Sequence, residues 1–561
     1  MRKLFYLAVA VAGLGACAGD QITVQNLNNP DVSRVLATPA DVESVIGNSY
    51  GAAFFAAWGS NVSVQPMFLV MSFESASSLS NFGNSQRGGI PRQSTNNTRG
   101  NPYETENANV FTRSERAART AANGIAKLNG NGFTLGSPSQ DLRARAFAYF
   151  VMGYANANIA LAYDSTSVVS ETDTLAAPVK PLVSAKVAMA LALTQMDSAI
   201  ATAGRATALG GFVLPTNWVP GNAFTDVQFV QMVRSYKARF RAGVARNPAE
   251  RSAIDWTQVI ADANAGLPAD LVINTDPNTN FTIGDGQHYT FDTWTQQSPM
   301  IIGMADSVRS TCSASTAGGD CYDAWLANPA PNRYAFTIRT ADQRFPAGAT
   351  RAAQRLSSGS TPSAAKPYPP STNLYFRNRT VPDPTADPWN KSQYDFYRFQ
   401  KWASGGSSGS YPVFTRAEAN LLAAEGYIRA GDFANAMATI NVSRVANGQL
   451  PALVGIGSPT QPIAAGVAAN SCVPRVPTAP DFAHATCGTI FEAMKWEKRM
   501  ETAYTHFGAW FFDSRGWGDL VKDTPVEFPV PTFELDVRVK PYYSTGGPGG
   551  NSAAPLGTYG Y

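Results

Sequence analysis

The chain has 561 residues, 44% of them hydrophobic, and its 44 Lys and Arg nearly balance 41 Asp and Glu. That length and apolar content support a large core, whereas a net charge of +3 gives no electrostatic footprint for nucleic acid. Charged residues are only 15%, against 47 Gly and 37 Pro, which implies ordered elements joined by long neutral loops.

The N-terminus reads MRKLFYLAVAVAGLGACAGD. Arg2 and Lys3 form a positive start, and Leu4 to Leu14 is an apolar run too short to span a bilayer comfortably. Small residues lead to Cys17, so residues 1–16 read as a signal peptide. LGAC at 14–17 resembles a bacterial lipobox, which makes Cys17 the expected lipid attachment point and 17–37 a leash. An ordinary signal peptide cleaved nearby is the competing reading. No other run is long and apolar enough to cross a membrane as a helix, so the expected attachment is through acyl chains.

Thr38, Pro39 and Asp41 open a capping box for a helix over 38–58. Periodicity is lost over 59–111. It returns at 112–130, then in the pair 141–163 and 182–204 and the pair 225–246 and 255–267. A second aperiodic stretch, 268–410, is rich in Gly, Pro, Ser, Asn and Thr with scattered aromatics. The clearest signal follows at 415–448. Leu421, Leu422, Ala424, Tyr427 and Ile428 recur at helical spacing, Gly431 stops that helix, and Asp432 caps the next. Two amphipathic helices across so short a turn make an αα-hairpin similar to a tetratricopeptide unit. The expected fold is mainly α: a tetratricopeptide-like superhelix of about four helix pairs, with long irregular insertions carrying few short strands. Its core would comprise 38–58, 112–267, 411–450 and 488–508 of a single domain over 38–561. The insertions would be 59–111 and 268–410, and a turn and tail would fill 509–561.

With Cys17 set aside, Cys312, Cys321, Cys472 and Cys487 remain as disulfide candidates. Local pairing, 312 with 321 and 472 with 487, is the simplest of three connectivities and would stiffen two loops. Metal binding is disfavoured, since the spacings are not those of a zinc site and His288, His484 and His506 are isolated. GGSSG at 405–409 satisfies GxSxG around Ser407, but within a Gly/Ser-rich linker rather than between a strand and a helix. DPNTNFTIGDGQ at 276–287 begins like an EF-hand loop, yet has Phe281 in place of the Gly and Gln287 in place of the Glu. No cofactor is expected.

Charges and aromatics crowd WEKRMETAYTHFGAWFFDSRGWGDL, 496–520. Helical spacing puts Glu497 in an apolar stripe with Ile490, Met494, Met500 and Tyr504, and a buried glutamate needs a partner. Arg499 and Arg515 are the candidates. Glu497, Arg499, Asp513, Arg515 and Trp517 therefore read as a structural lock, with Phe511, Phe512 and Trp517 packed beneath a turn. No supporting motif favours catalysis there.

This ending, with the lipobox, the helix pairs and the aromatic insertions, resembles the SusD/RagB family of outer-membrane nutrient-binding lipoproteins. The carrying residues are Glu497, Lys498, Arg499, Glu501, Ala503 and Tyr504, then Phe512, Asp513, Arg515, Trp517 and Gly518. Residues 417–444 and 143–169 resemble two further family segments. Thr505 and His506 stand where the family usually has Glu-Gly, and Ser514 and Gly516 where Leu and Arg are common. The resemblance implies a non-enzymatic protein, lipid-anchored in the outer membrane and facing the exterior. It would capture an oligosaccharide or peptide and close as a lid over a SusC-like TonB-dependent barrel.

The family's ligand contacts come largely from insertions. Sugar rings present flat C–H faces and hydroxyl rims, which suit aromatic and polar side chains respectively. The candidates here are Phe82, Arg87, Tyr289, Trp294, Trp325, Tyr334 and Trp389, with Trp294 and Trp325 ranked first. Local core beneath long loops is the competing reading for each. The rival functions are a lipid-anchored tetratricopeptide-type scaffold binding only proteins, and a surface hydrolase.

Overall fold

Thr38 opens the first core helix as the sequence predicts. Its hydroxyl accepts from the Asp41 amide, and the Asp41 carboxylate accepts from the Thr38 amide. A computed structural model describes residues 35–130, 132–173, 179–284, 295–307, 319–328, 333, 336–358, 374–379, 389–463 and 472–561. In it this helix is α1, Pro39–Trp58. α2, Glu104–Leu128, begins well before the expected 112. Its first turns, ETENANVF, hold too few apolar residues to show a period, while Glu104 and Glu106 suit a helix N-terminus.

α3, Pro138–Ala162, and α4, Ala185–Thr207, start at the serine caps Ser137 and Ser184. They approach closely at Gly153, where a Cβ would lie 2.8 Å from the Ala192 carbonyl and 2.7 Å from the Met196 side chain. α5, Asp226–Gly243, carries a capping box of Thr225 and Gln228, and α6 is Trp256–Asn264. After the second insertion come α7, Arg416–Arg429, α8, Phe433–Ala446, α9, Ile490–Thr502, and α10, Ala509–Trp517. Gly431, at φ +76°, turns the chain between α7 and α8, and Asp432 caps α8.

Each helix packs on its successor from α1 to α8, and α9 closes on α7 and α8. Four pairs, α1–α2, α3–α4, α5–α6 and α7–α8, therefore form the mainly α superhelix that the periodicity implies. The described strands are short and pair two by two. β1 (Ser165–Thr166) pairs with β2 (Val183–Ser184), and β3 (Leu271–Thr275) with β6 (Gly409–Phe414). β4 (Phe376–Asn378) pairs with β5 (Tyr394–Phe396), and β7 (Arg475–Pro477) with β8 (Ala485–Cys487). The β3–β6 ladder closes the neck of the second insertion, with Leu271 opposite Phe414 and Thr275 opposite Gly409. The chain thus leaves and rejoins the stack at one place, and α6 still meets α7.

The first insertion folds back into the core. Its helix Gln65–Met71 is buried along its whole length. There Phe68 stacks on Phe511 at 4.6 Å and meets Phe512 edge-on at 5.0 Å. Among the described residues no helix is long and apolar enough to cross a membrane. A disulfide joins Cys472 to Cys487 at the β7–β8 ladder, and Cys321 is also disulfide-bonded. Cys312 and Cys17 lie outside the described residues.

Candidate functional site

The 496–520 segment is built around α9, in which every residue from Ala493 to Thr502 is buried. Charges buried this way must be paired. Glu497 takes a fork from Arg344, with contacts of 2.8 and 3.0 Å, and Glu501 accepts from Arg344 at 3.2 Å and from the Tyr375 hydroxyl at 2.9 Å. Asp342 holds the other side of Arg344 at 2.7 Å. Burial works against the Arg344 charge, but Asp342 and Glu497 keep it firmly protonated. Lys498 donates to Asp513 at 2.8 Å, and Asp513 also meets Arg251, whose fork clasps Glu425 at 3.0 and 2.6 Å. Burial alone would raise the Glu425 carboxyl; Arg251 and Arg429 hold it at about 2.

The partner of Glu497 is thus Arg344 of the second insertion, not Arg499 or Arg515. Residues two apart on a helix point to different sides, and Arg499 turns to Asp519 at 2.5 Å. Arg515 donates instead to the backbone carbonyls of Gly243, Ala245 and Val526. The expected turn around 509–517 is α10, ended by Gly518 at φ +82°. Trp517 is roofed by Arg251, Lys498 and Arg499 at 5.5 to 5.6 Å, while Phe511 and Phe512 pack on Phe68. Through these contacts α9 ties the second insertion, the α7–α8 hairpin and α10 into one body.

Just after α9, Tyr504 carries this rigidity to the place where the insertions meet. Its hydroxyl donates to the Glu74 carbonyl and accepts from the Gln297 side chain, both at 2.8 Å. Ala76 and Gln296 exchange backbone hydrogen bonds of 2.7 and 2.9 Å, and the Gln297 amide donates to the Tyr394 carbonyl. The Trp389 indole N–H donates to the Ser85 carbonyl at 2.8 Å, and Lys391 reaches Ser78 at 3.1 Å. Segments from both insertions are thereby stitched into a seam that carries the half-buried rings of Phe82 and Trp389.

No family model matches the sequence, and no curated protein does. Solved structures do. A SusD-like protein of Bacteroides fragilis NCTC 9343 aligns over 87% of this chain and 88% of its own, with a TM-score of 0.50 at 12% identity. The chain has the SusD-like fold. A SusD superfamily protein of Bacteroides thetaiotaomicron VPI-5482 covers 86% and 89%, at TM-score 0.49 and 10% identity. NanU of B. fragilis covers 92% and 99%, at 0.49 and 13%.

On this SusD-like scaffold the expected ligand residues separate. Trp325 is 1% exposed, between Tyr322 at 5.9 Å and Phe336 at 6.2 Å, with Arg333 over its ring. It is core of the second insertion and not a platform, because its short helix, Tyr322–Ala327, turns the indole inward. Arg87, 2% exposed, is also turned inward: it donates to the Ser94 carbonyl and lies over Phe528, holding the loop. Phe82 and Trp389 stay at the surface seam, whereas Tyr289, Trp294 and Tyr334 lie outside the described residues. Ser407 follows the short helix Gln400–Ser404 and precedes β6, the reverse of a nucleophile elbow. His506 is buried against Phe507 and Phe512, and burial pushes its pKa well below the usual value. A groove lined by Asn48, Asn217, Asn274 and Asn280 escaped the sequence reading. Its asparagines come from separate segments, and the one signal was the NTN of residues 278–280.

Proposed function

We propose that the protein is a non-enzymatic binding lipoprotein of the SusD/RagB kind. It is tethered through Cys17 to the outer membrane, faces the exterior, and captures an oligosaccharide or peptide. It delivers that ligand as a lid to a SusC-like TonB-dependent barrel. The observation that carries this reading is the near full-length agreement with a SusD-like structure, 87% of one chain on 88% of the other. The aligned share is larger than the helix-pair core alone would fill, so it includes part of the insertions. The lipobox at 14–17 supports the tether. The seam, with Phe82 and Trp389 on a frame fixed by Tyr504, supports a binding surface that keeps its shape while the lid moves.

The test is to solubilise the outer membrane gently, pull down the native lipoprotein, and identify what accompanies it by mass spectrometry. A TonB-dependent barrel in near-equal amount is expected. A lone lipoprotein, or periplasmic partners alone, would overturn the lid and leave the tetratricopeptide-type scaffold.

A further inference from the structure

A groove separate from the seam runs along the flank of α1. It consists of two joined depressions of about 470 and 300 Å³, which share Asn48 and Asn217. Each falls in the rough range of small-molecule sites, about 300–1,000 Å³. Asn274 and Asn280 line the larger depression with Phe281, and Trp218 lies beneath the smaller.

The groove is a built feature. Gly51 lets the 276–281 turn lie on α1, because a Cβ there would stand 3.2 Å from the Phe281 ring and 3.3 Å from Asn280 Cβ. The Phe281 ring is fixed by Phe54 at 5.4 Å and Tyr50 at 5.9 Å. The turn closes on itself: the Asp276 amide donates to the Phe281 carbonyl and the Asn278 amide to the Asp276 carboxylate, both at 2.9 Å. On this rigid base the four asparagines are exposed. Asn274 takes one hydrogen bond from Ser410, and Asn48 gives one to Ser44. The side chains of Asn217 and Asn280 form no hydrogen bond among the described residues, though each amide offers one acceptor and two donors.

We infer that this groove binds a neutral glycan. Hydroxyl groups both give and accept hydrogen bonds, which matches amides better than it matches charges. Pro215, Pro220 and the edge of Phe281 supply apolar surface for C–H faces. Neither depression is lined by Lys or Arg, so an anionic polymer has no counter-charge. Glu43 is already paired with Arg143, and the Asp276 carboxylate is engaged by its own turn. A peptide would find amides for its backbone but no apolar pockets for successive side chains. Two depressions in line suit a chain of rings rather than one sugar. The inference rests on the capture reading for its biological sense; its geometry stands without it.

The experiment uses the purified full chain in native gels cast separately with amylopectin, xyloglucan, galactomannan or arabinoxylan, and with a tryptic casein digest as competitor. Calorimetry with the matching oligosaccharide then gives affinities. Wild type should be retarded by at least one polysaccharide. Asn217→Ala and Asn280→Ala should each weaken binding about fivefold, and the double variant about twentyfold, with melting temperature unchanged. Phe82→Ala reports on the proposed capture surface at the seam, separately from the groove. Retardation lost in Phe82→Ala but intact in the double asparagine variant would overturn the groove and keep the capture function. Displacement by the casein digest, lost in the asparagine variants, would make it a peptide groove and overturn the glycan assignment. Absence of retardation by every polysaccharide would overturn the inference, while co-purification with a barrel would still report separately on the lid.

Discussion

The charged lattice on α9 and the asparagine groove on α1 both concentrate polar side chains, and they use them in opposite ways. Around α9, Glu497, Lys498, Arg499 and Glu501 are all buried, and each is paired with a charge from another element. Along α1, Asn217 and Asn280 are exposed and bond to nothing in the described protein. Polar density in a sequence therefore does not mark a site. What decides is whether the groups satisfy one another. The lattice holds the insertions on the stack, and the groove leaves its donors and acceptors to whatever lies in it.

The largest effect expected from this contrast belongs to Arg344. Arg344→Leu leaves Glu497 and Glu501 buried without their shared cation and removes one of the links between the second insertion and α9, the Tyr375–Glu501 bond remaining. Breaking one side of a buried pair costs about 3–5 kcal/mol. Denaturant unfolding should show a loss of that size, or no soluble protein at all. A loss below about 1 kcal/mol would show that water relieves the lattice and that it is not the lock.

Next come two buried carboxyls, Glu425 in the lattice and Glu74 at the seam, that should titrate in opposite directions. Glu425 is held at about 2, below its ordinary 4.5, so its pairing with Arg251 stabilises the fold above pH 4.5 and is lost as pH falls toward 2. Glu425→Gln should flatten the acid limb of the stability profile by roughly 3 kcal/mol. Glu74 behaves inversely. Burial pushes its carboxyl to about 8, against the backbone amides of Tyr504, which donates to it at 2.6 Å, and of Trp510. The folded chain keeps a proton that the unfolded chain releases above 4.5. Stability should therefore fall between pH 4.5 and 8, at up to about 1.4 kcal/mol per pH unit, and Glu74→Gln should remove that slope. Equal slopes in wild type and variant would place Glu74 in contact with water.

These pairings also mark how far the sequence could be read. The helix pairs were legible because caps and periodicity are local: Thr38 with Asp41, and Gly431 with Asp432. The first turns of α2 are polar and show no period, and Gly508, Gly516 and Gly518 flank or interrupt α10, so that its sequence reads as a turn. The partner of Glu497 was invisible because Arg344 is remote in sequence, and proximity favoured Arg499, which the helix turns to another side. The inward setting of Trp325 is invisible in the sequence for a related reason. Neighbouring a cysteine says nothing about which way an indole faces, and Tyr322 and Phe336 draw it inward.

The smallest stability effect expected anywhere in this contrast is at Asn280. Its side chain is exposed and makes no hydrogen bond among the described residues, and its Cβ is what lies over Gly51 of α1. Alanine keeps that Cβ. Asn280→Ala should therefore change unfolding free energy by no more than about 0.5 kcal/mol, as surface substitutions do. A fold gains nothing from holding an unbonded amide at that point, which is why the residue is informative. A loss above about 1 kcal/mol would mean that Asn280 supports the turn after all, and the groove would then be structure of the same kind as the lattice. A neutral result keeps the two regions distinct, one whose polar groups are engaged with each other and one whose polar groups remain open to a ligand.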